Sequence, residues 1–482
     1  MASLWRPQKT PRCPTPRQKG RKSEETTDAP SPLEEMGHRL HLFCERYERH
    51  FLRWTRSVAR QSQAYLHGLM QASRKNMERM EEVVPDSNYQ SLQHFISHSE
   101  WDARAVLDQV AVEADRHLGG SADCALLLDE SASEKKGEKS VGVARQWNGR
   151  LGKVENSQVA VFASLTKGQY STLIDTRLYL PKEWTQDPQR CLAAGVPQSE
   201  LAHKSKAELA FEMVVQARQN GVRFSWVGMD GGYGKEPALL RRLEDQGEIF
   251  MADVHKDQQI YLEDPDPVVP ERRSSRGKQP TKLEAQRASQ RVDEWAKAQP
   301  PEAWRKVTVR PGTKGDVRVE ALHARVWLWD GSEQKARCRH VVATRELRSP
   351  ETIKYSLSNA SAETTPERLV WMQRQRFWIE RSFEDAKSEC GLADYQVRGW
   401  LAWHHHMALV MMAMLFMLEE KLSQKKSYPL LSCSDIEFLL AHFLPRRGVA
   451  GAEVIRQMKA RHRARQNSID SAYRRQGLSG TA

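Results

Sequence analysis

Three acidic residues in different local settings carry the strongest chemical signal in the chain. Asp129 closes the apolar run CALLLD, Asp230 closes a second run, FSWVGMD, and Glu380 lies in the amphipathic stretch RFWIERSFEDAK. Two carboxylates at strand ends and a third on a later helix can converge from far apart in sequence, and converging carboxylates hold divalent metal ions for phosphodiester chemistry. Taken singly, an Asp at a strand end is more often a turn or helix-cap residue. Around Glu380 the spacing adds cations, since Arg376, Glu380 and Lys387 fall within about 40° of one another on a helical face. A salt-bridge ladder is the ordinary explanation of such spacing. Beside Asp129 and Asp230, it also suits a metal ligand flanked by two phosphate-binding cations. Glu384 is one turn further on, and Asp385 points away.

The elements that would position these groups follow from periodicity. Residues 119–255 read as three short β-type runs (CALLLDES, SVGVARQWN, SQVAVFASL), a helix over about 205–220 stopped by Gly221, and a strand over 224–230. Acids on the first and fourth strands of that order predict an α/β, ribonuclease-H-like core. The DGGYG after Asp230 allows a sharp turn and a close approach of the backbone to a ligand. Upstream, Leu40, Phe43, Cys44, Tyr47, Phe51 and Trp54 recur at helical spacing with Arg46, Arg49, Arg53 and Arg56 between them. Ser87-x-x-Gln90 and Ser99-x-x-Asp102 read as capping boxes of further helices. This predicts an all-α N-terminal domain that folds by itself and lays an arginine-rich face, with Arg49, Arg53 and Arg56, against DNA. Solvation of an outer face is the plainer alternative.

Between the second Asp and the Glu, residues 256–354 read as an insertion. A polar stretch containing ERRSSRGKQPTK leads into a helical patch ending near Trp295. The strands RKVTVRP, DVRVEALHARVWLWDG, RHVVATRE and IKYSLSN follow. Trp327 and Trp329 alternate with aliphatic residues and share a strand face with Arg325. Core packing competes there with a second reading, an aromatic platform for an unpaired base with a phosphate-holding arginine beside it. Thr365 and Pro366 then cap and open the helix that carries Glu380.

The formal charge of +12 favours a polyanionic partner, nucleic acid before a membrane surface. Seven Lys or Arg and no acid fall in residues 1–22, and nine basic residues lie between Arg446 and Arg475 against only Glu453 and Asp470. Such runs are expected to be solvated and disordered. No apolar segment follows the basic N-terminus, so it does not read as a signal peptide. The longest apolar run, Met407 to Leu418, suits a buried helix and is too short to cross a bilayer. Seven scattered cysteines without a CxxC pair argue for reduced thiols and against zinc. A cytoplasmic, nucleoid-associated protein with no membrane partner is expected.

Several long blocks resemble DDE transposases of bacterial insertion sequences, in the branch with a β-rich insertion before the catalytic Glu, and most closely insertion-sequence family 701. They are LLLDESASEKKGEKSVGVARQWNGRLGKVENSQVAVFASL with RLYLPKEWTQDPQRCLAAGVP, then WVGMDGGYG, then WIERSFEDAKSECGLADYQVRGWLAWHHHMAL. YLHGLMQASRKNMERMEE and LQHFISHSEWD resemble the N-terminal helices of that family. Arg376, Glu380 and Lys387 match the last three members of the branch's Tyr-x2-Arg-x3-Glu-x6-Lys motif, with Gln373 in the tyrosine place. The resemblance implies two Mg²⁺ ions, with Mn²⁺ as a substitute, held by Asp129, Asp230 and Glu380. It also implies cutting and joining of double-stranded DNA at terminal inverted repeats and target sites by a homodimeric synaptic complex. The alternatives are a structure-specific nuclease of the same fold and an inactive DNA-binding regulator. The expected division is a basic tail (1–34), a helical DNA-binding domain (35–118), the catalytic core in two parts (119–255 and 355–425) around the β-rich insertion (256–354), and a helical, basic C-terminal tail (426–482).

Overall fold

The computed structural model describes residues 31–53, 55–271, 280–312 and 315–475. The basic N-terminal run, Trp54 and most of ERRSSRGKQPTK lie outside the described residues.

Helices α1 (Met36–Glu45), α2 (Ala59–Gln71), α3 (Met77–Val83), α4 (Tyr89–Ser97) and α5 (Ala103–Leu118) open the fold. A small hairpin, β1 (Leu52–Arg53) and β2 (Arg56–Ser57), sits between the first two helices. The caps differ from expectation by a residue or a role. Asn88 accepts from the Ser91 amide and Asp102 from the Arg104 amide, each at 2.8 Å, while the Ser87 and Ser99 hydroxyls donate back to the Val84 and His94 carbonyls. The arginine-rich helical face is not formed. Helix α1 stops at Glu45, and Tyr47 and Phe51 are buried beyond its end. Arg46 pairs with Glu113 and Glu419, Arg49 donates to Gln109, and Arg53 and Arg56 stand on the hairpin.

The sheet begins with β3 (Cys124–Glu134), β4 (Ala144–Asn148), β5 (Lys153–Lys167) and β6 (Tyr170–Leu178), one strand more than the sequence suggested. Short helices α6 (Lys182–Thr185) and α7 (Pro188–Ala193) precede α8 (Lys206–Gln219), whose Ser205 and Glu208 form a capping box. Then come β7 (Trp226–Met229), α9 (Gly231–Gly234), α10 (Pro237–Asp245) and β8 (Phe250–Val254). Side by side the strands run β6-β5-β3-β7-β8, with β3, β7 and β8 mutually parallel, β5 antiparallel to both β3 and β6, and β4 paired to the free end of β5. Antiparallel hairpins account for the first half. The parallel half needs the crossovers that α8 and α10 supply.

The segment read as an insertion does not form a separate sheet. After the short pair β9 (Gln259–Ile260) and β10 (Gln290–Arg291) and helix α11 (Val292–Lys297) come β11 (Arg305–Arg310), β12 (Val317–Leu328), β13 (Arg337–Glu346) and β14 (Ser349–Ser358). The last of these pairs antiparallel with β8, so the order β11-β12-β13-β14 extends the core into one ten-stranded mixed sheet. A small core of its own, with Ile260, Trp295, Trp304, Leu322 and Val326, backs this extension.

Helices α12 (Pro366–Gln375), α13 (Phe377–Ser388), α14 (Trp400–Ser423), α15 (Cys433–Phe443) and α16 (Gly451–Arg475) complete the chain. The C-terminal basic run is helical through Arg475, and Arg456 and Arg461 tie it to Glu81 and Glu82. By length and composition α14 could cross a membrane, but its apolar window is 89% buried inside the fold. It packs among α1, α2, α4 and α5 and against β6. The His405 ring stacks on Trp101 at 3.8 Å with both nitrogens against the carbonyls of Ile96 and Trp101, and His406 meets the Tyr65 hydroxyl at 2.9 Å. Burial pushes these imidazoles down to about 4 and about 3, and His406, with the Tyr65 hydroxyl on one nitrogen and the Gly391 carbonyl on the other, packs as a neutral ring. The N-terminal helices therefore share one apolar core with the sheet.

Without α14 those helices lose the surface that covers them. A fragment of residues 31–118 is expected to show no cooperative thermal transition by circular dichroism, where the full chain shows one. A sharp melt of the fragment would restore the independent domain.

Candidate active site

The site is set by strand register. Leu128 pairs with Met229 across β3 and β7, and Met229 with Ala252 across β7 and β8. One residue beyond these pairs, Asp129, Asp230 and Asp253 stand level at neighbouring positions, with strands about 4.8 Å apart. Asp230 ends its strand as the cap of α9, its Oδ1 accepting from the Gly232 amide at 2.9 Å and the Tyr233 amide at 3.3 Å. Both readings of that residue are thus met, the cap and the row of acids. Gly234 lets α9 lie against β8, because a Cβ there would fall 1.9 Å from the Asp253 carbonyl oxygen.

Helix α13 brings Glu380 to the row. Its Phe383 ring packs edge-on against Phe162, the direct strand partner of Asp129, at 5.3 Å, and its Ser382 hydroxyl meets Ser171 at 2.6 Å. At the junction of α12 and α13, Arg376 reaches over three carboxylates. Its Nη1 donates to Asp129 at 3.1 Å, its Nη2 to Glu380 at 2.6 Å and its Nε to Asp253 at 3.1 Å. The salt-bridge reading of the Arg376–Glu380 spacing is therefore realised, but as part of a larger knot. Glu384 is exposed and pairs with Arg381 at 3.3 Å, and Asp385 turns inward to Arg381 at 2.7 Å.

The electrostatics match the crowding. Burial first, then the Asp230 charge, raises the Asp129 carboxyl from 3.8 to about 7 against the opposing pull of Arg376. Burial also raises Asp253, again opposed by Arg376. Arg376 is itself desolvated, yet Asp129, Asp253 and Glu380 outweigh that and raise its pKa further. Lys387 is lowered by burial and by Arg150, with Asp129 pulling the other way, and it has no ion pair among the described residues.

Oxygen donors alone line this row, the donor type that suits Mg²⁺ or Mn²⁺. The Tyr233 hydroxyl, buried within electrostatic reach of Glu130, Asp129 and Asp230, has no hydrogen-bond partner among the described residues. Donor chemistry fits a divalent ion. As they stand, no three Asp, Glu, His or Cys side chains among the described residues converge closely enough to hold one, and Arg376 spans the gap.

Other expected contacts lie elsewhere. Strand β12, with Arg325 and Trp327, is separated from β7 by three strands, a span of about 19 Å. Trp329 falls beyond the end of β12, where its indole donates to the Glu333 carbonyl at 2.8 Å, so it does not share a strand face with Trp327. Trp295 and Trp304 are buried in the small core. Sequence reasoning missed Asp253, although EIFMADV is a third apolar run reaching an Asp, like those of Asp129 and Asp230.

Comparison with known proteins adds the lineage. The family described as DDE superfamily endonuclease matches residues 46–316, more than half of the chain. A curated protein of Microchaete diplosiphon, the probable transposase for insertion sequence element IS701, is 28% identical over 178 residues, which is 36% of this chain and 42% of that protein. The match thus spans about two fifths of the relative's length. Among solved structures, a piggyBac transposase synaptic complex with hairpin DNA aligns at TM-score 0.36 and 12% identity over 85% of this chain and 76% of that one. The NurA nuclease from Sulfolobus solfataricus aligns at 0.22 and 8%, over 68% and 94%. At such scores neither structural likeness carries an argument.

Two outcomes follow from the geometry. A Gly234→Ala substitution drives a methyl group into backbone and is expected to cost about 1–3 kcal/mol in denaturant unfolding. For Asp129, the raised pKa means that the folded protein keeps a proton which the unfolded chain releases near pH 4. The contribution of this group to stability therefore falls as pH rises from about 4 through about 7. Asp129→Asn should raise the melting temperature of the metal-free protein more at pH 8 than at pH 5, as scanning calorimetry at the two values will show.

Proposed function

Because the chain belongs to the DDE superfamily endonuclease family, we propose that it is the transposase of an insertion sequence. It binds the element's ends and catalyses metal-dependent strand cleavage and strand transfer at Asp129, Asp230 and Glu380. The observation that carries this reading is the meeting of Asp129 and Glu380 at one guanidinium, with Asp230 level with Asp129 on the neighbouring strand. The strand order β6-β5-β3-β7-β8, with the first acid on the central strand, supports a ribonuclease-H-like core.

In this reading Asp129, Asp230 and Glu380 hold Mg²⁺, or Mn²⁺ in its place. The bound ions supply a nucleophile at neutral pH and neutralise charge on the reacting phosphate. The residues themselves orient and screen. Asp230 is held through Oδ1 by two backbone amides of α9, which restricts its rotation and leaves Oδ2 free of them. Glu380, half-exposed, reaches the reacting phosphate from the solvent side. Lys387 supplies a point charge for a neighbouring phosphate, and Arg376 a planar fork. Duplex DNA carrying terminal inverted repeats is the proposed substrate, with a homodimer bridging two ends. The basic helix α16 adds phosphate contacts that read charge and not sequence.

Asp129→Asn, Asp230→Asn and Glu380→Gln should each lower metal-dependent nicking of end DNA about a hundredfold or more while end binding persists. Glu384→Gln, one turn away, should nick at near the native rate. Gel analysis with a labelled end and a target plasmid reads both steps. Nicking without joined products would make the protein a nuclease, and native nicking by Asp230→Asn would remove this site altogether.

A further inference from the structure

The contacts of Arg376 are unequal in rigidity. Two of its partners, Asp129 and Glu380, are proposed metal ligands, and Glu380 is about half exposed at 51%. The third, Asp253, is held from behind by a buried chain of hydrogen bonds. The Ser356 hydroxyl donates to Asp253 Oδ1 at 2.5 Å and accepts from Gln373 Nε2 at 2.7 Å, while Gln373 Oε1 accepts from the Thr344 hydroxyl at 2.5 Å. Every donor and acceptor in that chain has one assignment, which also fixes which end of the Gln373 amide is nitrogen. Ser356, Gln373 and Thr344 are all at most 3% exposed. The register places Ser356 directly opposite Asp253. Gln373 stands three residues before Arg376, so one helical turn carries both the anchor's support and the guanidinium.

We infer that Asp253 is a positioning residue that tethers Arg376, and that the tethered guanidinium competes with divalent cations for Asp129 and Glu380. The inference rests on the metal-site reading of Asp129, Asp230 and Glu380. With a divalent cation held by those acids, Nη1 and Nη2 of Arg376 would be released while Nε kept its bond to Asp253. The guanidinium then turns about that fixed bond, with its two amino groups released toward phosphate. The tether has two consequences. It keeps an always-charged group beside the acids, where it neutralises part of their repulsion. It also stops that group from settling wholly on Asp129 and Glu380, which would block the cation. Asp253 thus acts on metal binding through Arg376, without being a ligand.

The test is Mn²⁺ binding by the full chain, read from the electron paramagnetic resonance signal of free Mn²⁺, in a double-substitution cycle. Arg376→Gln should tighten Mn²⁺ about fivefold or more, and Arg376→Lys, which keeps the charge but cannot span three carboxylates, should tighten it less. Asp253→Asn should weaken Mn²⁺ about fivefold in the native background, and by about twofold or less once Arg376 is Gln. Ser356→Ala changes no charge and should shift affinity in the same direction as Asp253→Asn, by less. Arg374→Gln, a neighbouring cation paired with Glu346, should leave affinity unchanged. An equal effect of Asp253→Asn in both backgrounds, or no change with Arg376→Gln, overturns the inference while leaving the metal site standing. Unaltered binding by Asp230→Asn, or no binding by the native chain, overturns the metal-site reading and this inference together.

Discussion

Like charges set level on adjacent strands repel, and the parallel register of β3, β7 and β8 sets three carboxylates level. Much of the surrounding structure answers that constraint. One guanidinium lies across the row, two amides at the start of α9 take up Asp230, and a hydroxyl from β14 takes up Asp253. Helix α13 is docked onto β5 and β6 by Phe383 and Ser382, which fixes how close the fourth carboxylate, Glu380, can come. What remains uncompensated is visible in the Asp129 carboxyl, pushed up to about 7. A fold that needed only stability would place apolar residues here. Retaining four acids around one Arg is the expense of the proposed site.

The extension of the sheet serves the same end. Strand β14 follows the segment that looked inserted, yet it pairs with β8 and supplies Ser356 directly opposite Asp253. Strand β13 supplies Thr344 to the same chain of hydrogen bonds. A cluster of Arg337 and Arg339 on Glu244 then ties β13 to α10, on the far side of the extension. The strands beyond β8 thus support the row of acids from behind, and Trp295 and Trp304, which precede β11, pack in the small core that backs them.

The parts of this arrangement that were legible in the sequence are those governed by local pattern. The apolar runs gave β3 and β7 with their acids, although Asp129 stands in mid-strand and not at a strand end. The helical stretch stopped by Gly221 gave α8, and Thr365 with Pro366 gave the start of α12, although Glu380 stands on the next helix, α13. The comparisons bear out the resemblance to transposases of this class at the level of family. Long-range pairing was not legible. Nothing local to IKYSLSN says that it will pair with FMADV, so Asp253 and the continuity of the sheet stayed hidden. The arginine spacing around Tyr47 misled for a related reason. A helical period over 40–54 predicts one continuous helix, but the helix ends at Glu45 and a tighter turn over Glu48–Phe51 carries the chain into the hairpin, with Tyr47 and Phe51 buried all the same. Which of two competing partners a charged group takes, such as Arg376 choosing three acids at once, is decided only when distant elements assemble.

Helix α14 begins at Trp400, whereas the helices it completes end at Leu118. A ribosome adding roughly 5–20 residues per second needs tens of seconds to cover that interval. Throughout it, the earliest-made helices wait with the apolar face that α14 later covers still open to water. Glu380 is likewise the last of the proposed ligands to be made, well after Asp129 and Asp230. Until α14 is made, the growing chain therefore carries exposed apolar surface and is a natural client for a chaperone.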